Sequence, residues 1–216
     1  MRHTPHFITE DVPTVKRLIR ENPWATIVSH TDGGTVASHY PVILEDTADD
    51  EISIVSHVGR PDDELHELGR HEVLVIIQGP HGYISPNWYP PEQFVPTWNH
   101  VTAHLYGTPE ILSEAENFRV LSELVDHFES LMPTPVSLEI DEQAARGIAK
   151  GTVGIRLHVT HFDARLKLSQ NKAPEVVRHI IDALDIDPVY GHPALADEMR
   201  RVHGDTAGQA AQEPAE

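Results

Sequence analysis

The chain has 216 residues, no cysteine, and a formal charge of −18 from 16 Lys+Arg against 34 Asp+Glu. Without thiols there are no disulfides, no thiol catalysis and no thiolate metal sites, and no run of about 18 apolar residues exists to cross a membrane as a helix. So acidic a chain lacks the basic footprint that nucleic-acid binding requires. With an N-terminus "MRHTPHFITEDVP" that has no apolar signal core, a cytoplasmic protein without direct nucleic-acid contact is expected.

Residues 9–21 read as a first helix: Val12, Val15, Leu18 and Ile19 share a face, Pro13 falls in the first turn, and Asn22-Pro23 stops it. From Trp24 the period changes to two. "WATIVSH", the turn "TDGG" and "TVASHYPVIL" predict a β-hairpin. "EISIVSH" is a third strand, and "EVLVIIQ" a fourth, apolar on both faces and so expected to be central and covered twice.

Residues 79–101, "GPHGYISPNWYPPEQFVPTWNHV", hold two of the three tryptophans and five of the 17 prolines. The prolines exclude a regular helix, and the aromatics exclude a disordered linker. An ordered loop running into a strand is expected, and long ordered loops are commonly functional. The strand over residues 97–110 places Val101, Ala103 and Leu105 on a core face and Trp98, His100, Thr102, His104 and Tyr106 opposite, on a face that reads as a lining or interface.

A helix is expected over residues 113–131 with Ser113 as N-cap, then a short helix ended by Gly147. The last strand, 153–169, changes parity past Asp163, which predicts a bulge near Phe162-Asp163. Two helices, 174–184 and 193–202, precede a polar tail expected to be disordered. The order is a mainly antiparallel β barrel with added helices, without the βαβ alternation of a doubly wound sheet. The expected organisation is one domain over 1–186, a helical extension over 187–203 and the tail over 204–216.

The 16 histidines do not form a metal motif. His100 and His104 share a strand face but lie about 13 Å apart at strand rise, too far for one zinc; His158 and His161 have opposite parity. No metal is expected. GxSxG, GxGxxG and P-loop patterns are absent, and no residue is singled out as catalytic. Two basic spots stand out at strand ends, "SHVGR" with His57 and Arg60, and "RLKLSQN" with Arg165, Lys167, Ser169, Gln170 and Asn171. Cations concentrated with hydroxyls and amides suit a phosphate.

"GPHGYISPNWY" followed by "VPTWNHVTAHLYG", together with "ENPWATIVSH", "VASHYPVIL", "SHVGR" and "LKLSQN", resembles the PaiB family, FMN-binding proteins described as negative transcriptional regulators. The resemblance covers roughly residues 1–184. Two positions depart from the family pattern: "HVGRPDDELHELG" keeps Arg60 but loses the family's Asn, and His100 stands where a tyrosine is expected. The resemblance implies an FMN-binding split β-barrel, a homodimer, and FMN in clefts between subunits. Carried over, Ser38, His39, His57 and Arg60 serve one side of the flavin, and Trp98, Asn99, Lys167, Gln170 and Asn171 the other. A flavin-dependent oxidoreductase or a flavin-linked regulator follows, and haem binding or degradation, found among split-barrel relatives, is the alternative.

Overall fold

The computed structural model describes residues 4–90 and 95–204. The expected polar tail from 205 onward and residues 91–94 of the aromatic stretch lie outside them. The elements in chain order are β1 (Ile8–Thr9), α1 (Val12–Glu21), β2 (Trp24–Thr31), β3 (Gly34–Pro41), β4 (Ile43–Leu44), β5 (Ser53–Gly59), α2 (Asp62–Leu65), β6 (Val73–Ile84), β7 (Thr97–Gly107), β8 (Glu110–Ile111), α3 (Glu114–Glu129), α4 (Glu142–Ala149), β9 (Thr152–His158), β10 (His161–Lys167), α5 (Pro174–Ile186) and α6 (Pro193–His203). The strands make a six-stranded sheet, β1-β10-β7-β6-β2-β3, and a four-stranded sheet, β4-β5-β9-β8. This is the split-barrel fold.

Contacts divide the chain into two compact units: residues 1–10, 79–102 and 164–216 form one, residues 11–78 and 103–163 the other. In the second unit, β2 and β3 pair antiparallel from Trp24↔Pro41 to Thr31↔Gly34, with Gly34 at φ 115° closing the hairpin where a side chain would be strained. β5 pairs β9 from Ser53↔His158 to Gly59↔Thr152. Arg156 on β9 ties the four-stranded sheet together: its guanidinium grips Glu45 through Nε and Nη2 at 2.8 and 3.0 Å, and Nη1 reaches Glu110 on β8 at 3.1 Å. Burial pushes the Glu45 carboxyl up, but its bonds from Arg156 and Ser53 outweigh this and hold it below the usual range. In the first unit, α5 buries Val176, Val177, Ile180, Ile181 and Leu184, and α6 buries Leu195, Ala196 and Met199.

Five sequence expectations need correction. Gly147 does not end the short helix, since α4 runs from Glu142 to Ala149 with Gly147 inside it. Residues 8–9 are strand, and α1 begins at Val12, because the Asp11 carboxylate accepts from Thr14 N at 2.9 Å and caps the helix there. Residues 79–84 are not loop but the end of a 12-residue β6, and a single 3-10 turn, Pro86–Trp88, follows with Ser85 as its cap. β6 is central, yet within residues 73–77 Val73, Val75 and Ile77 are buried while Leu74 and Ile76 are half-buried. The last strand is two strands in different sheets, separated at Val159-Thr160, so the parity change is a switch of sheet and not a bulge at Phe162-Asp163. Gly107, ending β7 before β8, sits so close to this break that a Cβ there would meet His158 O at 2.5 Å.

Candidate functional site

In the second unit the site starts from strand parity. Ser38 and Tyr40 on β3 point to one face and His39 to the other, so the strand does not bring Ser38 and His39 together. His39 is exposed, hydrogen-bonded to Thr26 at 2.9 Å and stacked on the exposed Trp24 with ring centroids 6.5 Å apart. Ser38 belongs to a chain of hydrogen bonds. Its hydroxyl donates to Asp62 Oδ2 at 2.8 Å, as does that of Tyr40 at 2.7 Å, and the Tyr40 oxygen accepts from Gly59 N at 3.1 Å. His66, 1 % exposed, lies 3.0 Å from Ser38 Oγ through Nε2 and 2.8 Å from the buried Ser29 Oγ through Nδ1.

These bonds assign the protons. An ionised carboxylate only accepts, so the single Ser38 proton goes to Asp62. His66 must then donate through Nε2, and its Nδ1 accepts from Ser29. The Asp62 carboxyl is held below the usual range by the bonds from Tyr40 and Ser38. Burial is the largest effect on His66 and keeps it neutral, against the opposing pull of Asp62. With its proton committed, Ser38 offers a ligand a lone pair and no donor.

The turn after β5 carries the remaining two residues of this half. His57 is half-buried, its Nδ1 is buried without a hydrogen-bond partner, and burial pushes its pKa down. Arg60 N donates to Gly151 O at 3.0 Å, which anchors the turn, while its side chain stays 54 % exposed and pairs with Asp63 at 2.9 Å. Tyr40, Asp62 and His66 were missed in the sequence. Parity with Ser38 could have found Tyr40; Asp62 and His66 sit in an acidic run with no signal of their own.

In the first unit, β7 presents the expected alternation. Asn99 falls on the buried side, 1 % exposed, donating from Nδ2 to Ser169 Oγ at 2.9 Å and toward Met199 Sδ at 3.5 Å. Trp98, on the other side, is 57 % exposed; Tyr83 meets it edge-on at 6.1 Å and Tyr190 at 5.0 Å from Tyr83 extends the aromatic row. The Lys167 ammonium donates to Thr97 Oγ1 and Trp98 O, and burial lowers its pKa. His100 bonds Thr102 at 3.2 Å and is pushed down by burial first, then by Lys167, His81 and Arg165. Gln170 closes its own turn, accepting from Leu168 N at 2.8 Å and donating to Leu166 O, with Ser169 at φ 66°. Asn171 follows, exposed. "LKLSQN" is thus a tight turn whose Gln and Ser hold its shape.

Trp98 and Lys167 therefore share one neighbourhood, through the bond from the ammonium to the Trp98 carbonyl. Among the described residues, no group of three or more His, Asp or Glu could hold a metal ion.

Residues 1–161 match the family model described as "Putative FMN-binding domain". The chain is also 31 % identical over 182 residues to the protease synthase and sporulation protein PAI 2 of Bacillus subtilis (strain 168), covering 83 % of this chain and 86 % of that protein. The chain belongs to the PaiB family of FMN-binding proteins. Among solved structures it is similar to an FAD- and haem-binding protein of Mycobacterium smegmatis, with a TM-score of 0.56, 17 % identity, and coverage of 79 % of this chain and 78 % of that one. It is likewise similar to the flavocytochrome Anf3 of Azotobacter vinelandii, with a TM-score of 0.54, 16 % identity and coverage of 74 % and 68 %. At such identities these two support the fold of this PaiB-family chain and nothing finer. None of its described helices is long and apolar enough to cross a membrane.

Proposed function

We propose that this PaiB-family chain works as a homodimeric flavoprotein that holds FMN in clefts between subunits, through the β3 strand and the turn after β5 of one subunit and the partner subunit's Trp98 and Lys167. The observation that carries the reading is the orphaned Nδ1 of His57, beside a turn whose Arg60 guanidinium is exposed and held in place by Asp63. A buried, unsatisfied ring nitrogen costs on the order of 1–3 kcal/mol, and a ligand polar group paired with it removes that cost. The residues fit the group: Arg60 offers charge-assisted donors to a phosphate, Ser38 offers an acceptor, and the indole of Trp98 offers an apolar face.

FMN, when bound, supplies a ring that takes up and releases one or two electrons. The chain's own part is to bind and orient it. Asp62 fixes the direction of the Ser38 hydroxyl, and His66, kept neutral by burial, supports Ser38 from behind. Asn99, Gln170 and Ser169 contribute by shaping the turn that carries Lys167 and Asn171. A formal charge of −18 favours regulation through redox state or a protein partner over direct DNA contact.

The absorption spectrum of the purified protein tests the reading. Paired bands near roughly 370 and 450 nm are expected of an oxidised flavin. A single strong Soret band with no flavin bands would replace FMN by haem.

A further inference from the structure

A cleft of about 690 Å³ opens in the second unit, against α3, α4, the start of β9 and Arg60. That volume lies within the range of small-molecule sites. Three of its lining side chains, Arg60, Arg146 and Lys150, are cationic and one, Glu114, is anionic. With Asp63 and Glu142 beside Arg60 and Arg146, the cleft is close to charge balance, in contrast to a chain of formal charge −18. The guanidiniums are held in position: Arg60 by Asp63 at 2.9 Å, Arg146 by Glu142 at 2.7 Å and by the Phe118 ring at 4.0 Å. Each pairing uses part of a five-donor fork and leaves the rest for a ligand. The Lys150 ammonium has no ion pair among the described residues.

The floor of the cleft needs no ligand to be stable. The buried Asn117 amide donates to Ala149 O at 3.2 Å, Thr152 O at 3.3 Å and Thr152 Oγ1 at 3.2 Å. A Cβ on Gly154 would stand 2.9 Å from Asn117, so β9 is packed directly beneath. The cleft is therefore preformed, with satisfied polar groups below and unsaturated cations at its rim. Of the residues assigned to the flavin, only Arg60 lines it; Ser38, His39 and His57 do not.

We infer that this cleft binds a second ligand beside the flavin, a small organic phosphate whose charged group meets Arg146 and Lys150. Binding here does not depend on the flavin reading. The test is calorimetric titration of inorganic phosphate into the full, FMN-loaded chain. Saturable binding is expected, weakened about fivefold by either Lys150→Ala or Arg146→Ala, as for one partly screened charge, and retained by Lys150→Arg. The flavin should stay bound throughout, and Lys150→Ala should leave FMN affinity unchanged. Absence of saturable binding, equal affinity in wild type and both alanine variants, or release of flavin in step with phosphate uptake would overturn the inference; the last would make the cleft the flavin phosphate's own pocket. If the purified chain carries no flavin, the same titration on that chain reads the cleft alone, so the two readings fail separately.

Discussion

His57, His66 and His100 are all pushed below the ordinary imidazole pKa, in each case first by burial. The unfolded chain then takes up protons near its ordinary value, about 6.5, before the folded chain does. Their contribution to stability is complete above that pH and is lost as the pH falls below it. Thermal melts of flavin-free protein should show a falling midpoint between about pH 7.5 and 5.5, and a shallower fall in His57→Asn. A flat profile would mean these rings stay solvated. The Arg60 and Lys167 side chains make a second prediction at this scale. Arg60→Ala and Lys167→Ala should each weaken FMN by about 1.5 kcal/mol, roughly tenfold, and leave riboflavin nearly unchanged. Titrating both flavins separates a phosphate contact from a general loss of the site. Equal loss for both ligands would move these residues from the phosphate to the ring or the fold.

At the scale of elements, β7 is the clearest test of parity. Val101 is 0 % exposed while His100 is half-buried and faces Lys167, His81 and Arg165. Val101→Asp should unfold the protein, since an unpaired carboxylate would enter the core; His100→Tyr should keep the melting midpoint within a few degrees. Equal damage from both would invert the strand. The break between β9 and β10 gives a companion prediction. Gly107→Ala forces a methyl to 2.5 Å from the His158 carbonyl oxygen and should cost about 1–3 kcal/mol in denaturant unfolding. Gly147→Ala, in α4 with nothing within 4 Å of the new methyl, should instead stabilise by about 0.5–1 kcal/mol.

For the whole molecule, the exposed Trp98 with its row of Tyr83 and Tyr190, beside exposed Val189 and Ile186, supports a surface covered in an assembly. Sedimentation at micromolar concentration should give a homodimer, and Trp98→Ser should shift it toward monomer. A wild-type monomer would remove the two-subunit flavin site while leaving family membership untouched. The partition between sequence and structure follows the range of the physics. Alternation along β7, the stop at Pro23, the Ser113 cap and the PaiB motifs were legible because each depends on backbone period or on neighbours a few residues away. The place of Asn99 was not: its parity put it on the core side, but only packing against Ser169 and Met199, 70 and 100 residues on, made a buried amide tolerable. The pairing of Ser38 and Tyr40 with Asp62, and of Ser38 with His66, likewise joins β3 to residues about twenty to thirty positions later. The division of the last strand between two sheets depended on which neighbours its two halves found. By itself the sequence determined the local elements, the family and the positions of the basic spots, because those depend on local geometry and composition. Only the tertiary structure decided which polar side chains spend their hydrogen bonds on the protein and which keep them for a ligand, because that is settled by partners distant in the chain.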